Sequence, residues 1–188
     1  MNNILSKLFS SIALLFFSVA AIAAEPALLE SIVSLQSSAD QGDAESQFEL
    51  GNLYSTGNGV SLDLEKAFHW FSLAGEQNNT NAQYNLGVMY MTGQGIEADF
   101  EKSLGWFQRA ADLGDLVSQY SLGAMYANGR GVERDFAQAY KWFSIAAASG
   151  DPNAQANLVL FLEMLSEEQI LSGQGMATQW IEDFDSRK

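Results

Sequence analysis

The sequence of 188 residues contains no cysteine and a single histidine, His69. The absence of cysteine excludes disulfides, and it also excludes anchoring through a lipidated cysteine. With one imidazole and no thiolate, neither a zinc site of the usual composition nor a Ser-His-Asp triad is expected. His69 is predicted to lie on the surface, opposite the apolar stripe of its helix. We therefore predict no catalytic residue, no metal and no cofactor.

Basic residues are also scarce, with 9 lysines and arginines against 23 aspartates and glutamates, for a net charge of -14. Nucleic acids and anionic membrane surfaces bind patches of lysine and arginine, which this chain lacks. We expect neither as a partner. An acidic chain would attract a basic protein, although acidity also serves solubility.

The N-terminus carries Lys7, then an apolar run over residues 8–19, then a stretch of alanines interrupted by one isoleucine over residues 20–24. These are the three parts of a secretory signal peptide, so residues 1–24 are predicted to be removed by cleavage after Ala23 or Ala24. A transmembrane helix needs about 20 apolar residues, and this run is shorter and contains serines. We expect an exported protein, periplasmic or secreted, with no integral membrane anchor after cleavage.

Beyond the signal, identical or similar residues recur at a spacing of 36, which is a sign of a repeat architecture. The period defines three full units, 43–78, 79–114 and 115–150. The recurring columns include Gln47/Gln83/Gln119, Leu50/Leu86/Leu122, Gly51/Gly87/Gly123, Tyr54/Tyr90/Tyr126, Asp63/Asp99/Asp135, Trp70/Trp106/Trp142 and Phe71/Phe107/Phe143.

Each unit is predicted to form two helices joined by a glycine-containing loop. In the first unit the residues that share one helical face are Gln47, Leu50, Gly51 and Tyr54, followed by Leu64, Ala67, Trp70, Phe71 and Ala74. Gly57 and Gly59 supply the positive φ that ends a helix, and Asp63 is placed to cap the next. Gly51 costs about 1 kcal/mol relative to alanine inside a helix, so two helices should approach closely there. We expect the indole of the paired helix to fill that space.

A family resemblance rests on one full set of these residues in the second unit. The set is Leu86-Gly87, Tyr90, Gly93-Gln94-Gly95-Ile96, Asp99, Lys102, Trp106-Phe107, Ala110-Ala111 and Gly114. It resembles the Sel-one-like repeat (SLR), a relative of the tetratricopeptide repeat, in an exported bacterial member. The resemblance implies an all-α, right-handed superhelical solenoid of antiparallel helix-turn-helix repeats. It also implies a role as an adaptor in protein complexes.

Both ends of the array depart from the repeat. Residues 25–42 align with a second helix and are predicted to form an N-terminal capping half-repeat, in which Ser34 stands in the tryptophan column. Residues 151–188 are predicted to form a degenerate fourth repeat and a C-terminal capping helix. In that fourth repeat Val159 replaces the glycine and Leu162 the tyrosine, and Ser166 to Gln169 form a capping box. Terminal repeats need such caps because an unpaired repeat face is apolar.

If the function is recognition, we expect a protein or peptide partner to bind in the concave groove, on the face of the first helices that points away from the packed stripe. The predicted partner-binding residues are Phe48, Asn52, Tyr84, Asn85, Val88, Met91 and Tyr120. The aromatic of this set recurs in every unit, so it either contacts the partner or packs neighbouring first helices. Positions that differ between units are the better candidates for specificity.

Two further functions stay open at this point. One is a cell-envelope enzyme or a β-lactam- or peptidoglycan-binding protein, because some cysteine-rich secreted relatives are reported to bind or slowly hydrolyse β-lactams. Those relatives carry a disulfide in each repeat, which this chain lacks. The other is a secreted factor directed at a host, which differs from a periplasmic adaptor only in location.

Overall fold

The computed structural model describes residues 28–187, and the predicted signal peptide with its cleavage site lies outside this range. Helix α1 covers residues 28–40. Eight further helices follow: α2 (Ala44–Thr56), α3 (Leu64–Glu76), α4 (Thr80–Thr92), α5 (Phe100–Asp112), α6 (Leu116–Asn128), α7 (Phe136–Ala148), α8 (Pro152–Leu162) and α9 (Glu167–Asp185). The described part of the chain contains no strand. The predicted all-α repeat solenoid is confirmed.

The loops and caps form where the repeat places them. Gly57 and Gly59 adopt φ of 71° and 76°, which lets the chain leave α2 and turn toward α3. Asp63 then caps α3, with its carboxylate accepting a hydrogen bond of 3.0 Å from the backbone N–H of Lys66. Asp99 caps α5 in the same way. Three similar turns therefore set the same antiparallel geometry in each unit.

The two helices of a unit meet at the glycine of the first helix, but the expected indole does not fill the space. A Cβ atom placed on Gly51 would lie 2.6 Å from ring carbons of Phe71, and Gly87 and Gly123 face Phe107 and Phe143 at the same distance. The expectation of an indole is thus wrong, because the phenylalanine, one position later, points at the first helix. The tryptophan points back, and Trp106 lies 3.2 Å from a Cβ placed on Gly75 in the preceding unit.

Successive units are joined by a buried glutamine in the first helix of each of the three full units. Gln83 Nε2 donates to the carbonyl of Gly75 in the preceding second helix at 2.9 Å, and Gln119 repeats this with Ala111 at 3.3 Å. Gln47 makes the same bond to Ala39 of α1 at 3.0 Å. The glutamine column thus fixes the register between units, and it shows that α1 stands in the position of a second helix.

The C-terminal helix departs from the array. Helix α8 packs on α7 as a first helix should, and α9 also packs on α7. The aromatic residues of α9 reach back toward the second unit, where Trp180 Nε1 donates to Asp112 at 3.2 Å and the ring of Phe184 lies against Gly114. The Ser166 capping box begins α9 as predicted. Among the helices of residues 28–187, none is long and apolar enough to cross a membrane.

Candidate binding face on the first helices

The seven predicted partner-binding residues lie on α2, α4 and α6 and form one row of positions that we call the first-helix face. Each of them is half-buried. They are Phe48 and Asn52 on α2, Tyr84, Asn85, Val88 and Met91 on α4, and Tyr120 on α6. The structure thus leaves these side chains partly accessible along consecutive first helices.

The repeated aromatic of this face is held by the second helix of its own unit. The rings of Phe48 and Phe71 have their centroids 5.9 Å apart. The pairs Tyr84–Phe107 and Tyr120–Phe143 repeat the contact at 5.8 and 5.6 Å. Because the same ring pair occurs in each unit, its first role is to pack the two helices of the unit against each other. Positions that differ between units, such as Asn52 and its equivalent Val88, give each unit a different surface.

Charge is distributed unevenly between the two rows of helices. Helices α4, α6 and α8 contain no aspartate, glutamate, lysine or arginine, although the chain has a net charge of -14. Helix α2 alone among these first helices is acidic, with Glu45 and Glu49 exposed. One carboxylate oxygen of Glu45 accepts a hydrogen bond of 2.9 Å from the Asn79 amide. The first-helix face is therefore acidic at its N-terminal end and neutral beyond it.

At its C-terminal end the first-helix face contains a cavity of about 380 Å³ between α6, α7 and α8. Tyr120 lines it, and its hydroxyl accepts a hydrogen bond of 2.8 Å from the amide of Asn157. Leu160 and Met164 of the last repeat form an exposed apolar wall. Arg134 lies at the rim, with its guanidinium 5.2 Å from the ring of Phe136. The cavity thus combines apolar walls, an amide and one cation.

Among the residues that line this cavity, the sequence predicted only Tyr120 as a binding residue. Asn157 and Leu160 follow Ser121 and Ala124 by 36 residues, so extending the period into the fourth repeat would have found them. Met164 lies just after α8, where the period has already broken. The cavity exists partly because Ala124 and Ala127 are small where the second unit carries Val88 and Met91.

The ionisable groups with shifted pKa values lie away from this face. The pKa of Asp63 is lowered by the backbone hydrogen bond from Lys66 and by the Lys66 ammonium, 3.1 Å away. The pKa of Asp99 is lowered in the same way by Lys102. His69 is exposed, as predicted, with its ring on the edge of Trp70. Within residues 28–187 no three His, Cys, Asp or Glu residues form a group that could hold a metal ion.

Comparison with solved structures finds helical repeat proteins. The chain is 39% identical to a Sel1 repeat protein from Oxalobacter formigenes, covering 68% of this chain and 96% of that one with a TM-score of 0.64. It is 26% identical to c5321, a protective antigen present in uropathogenic Escherichia coli strains that displays an SLR fold, with a TM-score of 0.54. That match covers 83% of this chain but only 41% of c5321.

Helicobacter pylori cysteine rich protein B shares the fold at 24% identity and a TM-score of 0.56, over 71% of this chain and 96% of that one. No curated protein matches the chain. The Sel1 repeat model matches three consecutive segments, residues 44–79, 80–115 and 116–151. Proteins built from such repeats generally mediate protein–protein interactions and typically serve as scaffolds without catalytic activity. Three consecutive matches span more than half of the sequence, and the chain therefore belongs to the Sel1 repeat family.

Proposed function

We propose that this protein is an exported adaptor or regulator that binds a protein or peptide segment on its first-helix face. The single observation that carries the proposal is the absence of charged residues from the first helices that follow α2. In a chain of net charge -14, helices α4, α6 and α8 bear no charged residue. A surface kept free of charge within an acidic protein suits a partner whose binding depends on apolar contact and amide hydrogen bonds.

The side chains of the face supply both kinds of contact. Val88, Met91 and Leu160 offer apolar surface, and Asn52 and Asn85 offer amides that can pair with an extended peptide backbone. Tyr84 is half-buried and its ring contacts Phe107 in a tilted arrangement, so fixing the ring further on binding costs little entropy. The cavity beside Tyr120 provides a recess for one larger apolar side chain of the partner.

The proposed location of this binding is the periplasm, and secretion is the alternative destination. The proposal rests on the charged, apolar and small-residue parts of the predicted signal peptide over residues 1–24. Fractionation of cells that express the full-length gene, followed by mass spectrometry of the N-terminus, tests it. A chain that begins at residue 24 or 25 in the periplasmic fraction supports it, and an intact N-terminus in the cytoplasm contradicts it.

Binding is tested with the double variant Tyr84→Ala/Met91→Glu. Removing the ring and placing a carboxylate among apolar contacts should weaken recovery of the partner at least tenfold, because a desolvated charge and a lost aromatic each cost more than about 1 kcal/mol at an interface. The readout is affinity capture from periplasmic extract with quantitative mass spectrometry. Circular dichroism verifies that the double variant remains helical.

Leu73→Glu is the matched control. It introduces the same charge at an exposed apolar residue of α3, in the second-helix row. The control should retain the partners that the wild type recovers. Equal recovery by the wild type and the folded double variant would show that binding does not use this face.

A further inference from the structure

The two ends of the described array leave complementary halves of a repeat unit uncovered. Within residues 28–187, α8 packs on α7 of the preceding unit but has no second helix of its own unit, since α9 packs on α7 instead. Helix α1 is a second helix, and no helix of the described chain lies in the groove between it and α2. The C-terminal end therefore exposes a first helix, α8, that lacks its second helix. The N-terminal end exposes a groove between α1 and α2 in which a first helix would fit.

At the C-terminal end, residues in three columns of the repeat are more exposed on α8 than their equivalents are in the full units. Leu50, Leu86 and Leu122 are fully buried, but their equivalent Leu158 is only half-buried. Gln155 is exposed where the other glutamines of its column are buried. Val159, in the column of the glycine that receives a phenylalanine ring, is 64% exposed. The surface of α8 that is uncovered is thus the one that a second helix covers in the full units.

At the N-terminal end the missing helix is seen as a groove of about 440 Å³. Residues of both flanking helices line it, among them Leu28, Ser34 and Leu35 of α1 and Ser46 and Leu53 of α2. Ser46 and Leu53 are half-exposed, whereas their equivalents in the next two units are buried. Those equivalents are Ala82 and Ser118 for the first column, and Met89 and Met125 for the second. The first helix of a preceding unit would occupy this groove.

We propose that α8 of one copy of this chain occupies the groove between α1 and α2 of a second copy. In this arrangement α1 of the second copy becomes the second helix of the fourth unit, and the solenoid continues from one molecule into the next. The contact is heterologous, because each copy uses a different surface. A chain of such contacts forms an open assembly rather than a closed dimer.

The side chains at this junction have complementary sizes, because one position is larger and the facing position smaller than in the full units. In the full units a glycine of the first helix faces a phenylalanine of the second, as Gly51 faces Phe71. At the junction the glycine position holds Val159, and the phenylalanine position, 36 residues before Phe71, holds Leu35. The first helix has gained bulk where the second helix has lost it. Within residues 28–187, Val159 lacks the second helix of its unit and Leu35 lacks the first helix of its unit, although Leu35 also packs against the core of the first full unit.

Charge permits the contact. Helix α8 contains no ionisable side chain, so the contact buries no charge of this helix. Glu49 is the one ionisable side chain among the residues that line the groove. The remaining repulsion is between two acidic molecules, and added salt screens it. Association should therefore strengthen from low to moderate ionic strength. A contact held by ion pairs would weaken.

The test uses protein purified from cells that express the full-length gene, and it measures molar mass by sedimentation velocity over a wide range of concentration. The wild type should form species that grow with concentration. Val159→Glu blocks α8, and Ser34→Glu blocks the groove without removing an apolar side chain, so each variant alone should be monomeric. Leu62→Glu, at an exposed loop position away from both surfaces, is the control and should associate like the wild type.

Mixing the two blocked variants is decisive. The Ser34→Glu protein keeps a functional α8, and the Val159→Glu protein keeps a functional groove, so an equimolar mixture should form a dimer and nothing larger. A mixture that stays monomeric overturns the proposal, and so does a wild type that is monomeric throughout. The latter result is also expected if other residues of the same chain fill the groove. Because partner capture is tested at Tyr84 and Met91, failure of either proposal leaves the other intact.

Discussion

Replacing Gly87 with alanine tests the close approach that defines each unit. The new Cβ would lie 2.6 Å from two ring carbons of Phe107 and 2.9 Å from a third. Phe107 is fully buried, so its ring cannot move aside without disturbing the core. Overpacking of this kind costs about 1–3 kcal/mol. Alanine also gains about 1 kcal/mol over glycine in helix propensity, so the net change should lie between neutral and about 2 kcal/mol of destabilisation.

Gly105 provides a matched control within α5. It is a helical glycine with no atom within 4 Å of the position that a Cβ would take. Gly105→Ala should therefore stabilise the protein by up to about 1 kcal/mol, through propensity alone. The difference between the two variants isolates the packing cost and should be about 1–3 kcal/mol. Urea unfolding followed by circular dichroism measures it.

A compensating change sharpens the test. Phe107→Leu removes the ring that the added methyl group at position 87 would meet, so the double variant Gly87→Ala/Phe107→Leu should be less destabilised than the sum of the single changes. The same two columns hold Val159 and Leu35 at the ends of the array, in place of glycine and phenylalanine. If Gly87→Ala and Gly105→Ala shift the free energy of unfolding equally, the glycine column is not a packing device, and this reasoning is refuted.

Two other outcomes follow from the caps and from α9. Hydrogen bonds from Lys66 and Lys102 lower the pKa values of Asp63 and Asp99 in the folded protein, so their stabilising contribution is present above the ordinary value of 3.8 and is lost as pH falls through the lowered values. Thermal melts should show this loss below about pH 4, and the double variant Asp63→Asn/Asp99→Asn, which keeps the caps but cannot titrate, should show less of it. Trp180→Ala removes the bond to Asp112 and the ring packed edge-on against Trp142. Because Trp180 is half-buried, the substitution should lower the free energy of unfolding by roughly half of the 3–5 kcal/mol that removal of a core aromatic costs. Hydrogen exchange of the variant should then be fastest in α9, and uniform exchange across the units would contradict the role of α9 as a cap.

The 36-residue period predicted the unit boundaries and the caps because these depend on local chemistry. Asp63 and Asp99 cap helices through backbone groups three residues away, and glycines with positive φ end them. Such features need no knowledge of distant contacts. The period also predicted that the candidate binding residues share one face, since residues that share a column share a direction.

What the sequence could not determine was which side chain meets which across helices. Trp70 and Phe71 are adjacent and both apolar, so a small rotation of α3 decides which of the two rings packs against Gly51. The path of α9 depends on Trp180 reaching Asp112, a contact across 68 positions with no repeat to predict it. The cavity beside Tyr120 requires three helices to be placed before its volume exists.

Helix α9 also makes the two ends of the array unequal in the contacts that hold them. In a linear solenoid each unit holds only its neighbours, so unfolding can start at either end. Here α9 lies on α7 and is fastened to Asp112 and Gly114 of the unit before, so the last two units are bound together by one element. Within residues 28–187, no helix holds α1 in this way, and α1 exposes Leu29 and Val33. We therefore expect the described array to unfold first at its N-terminal end, with the second and third units unfolding together because α9 contacts both.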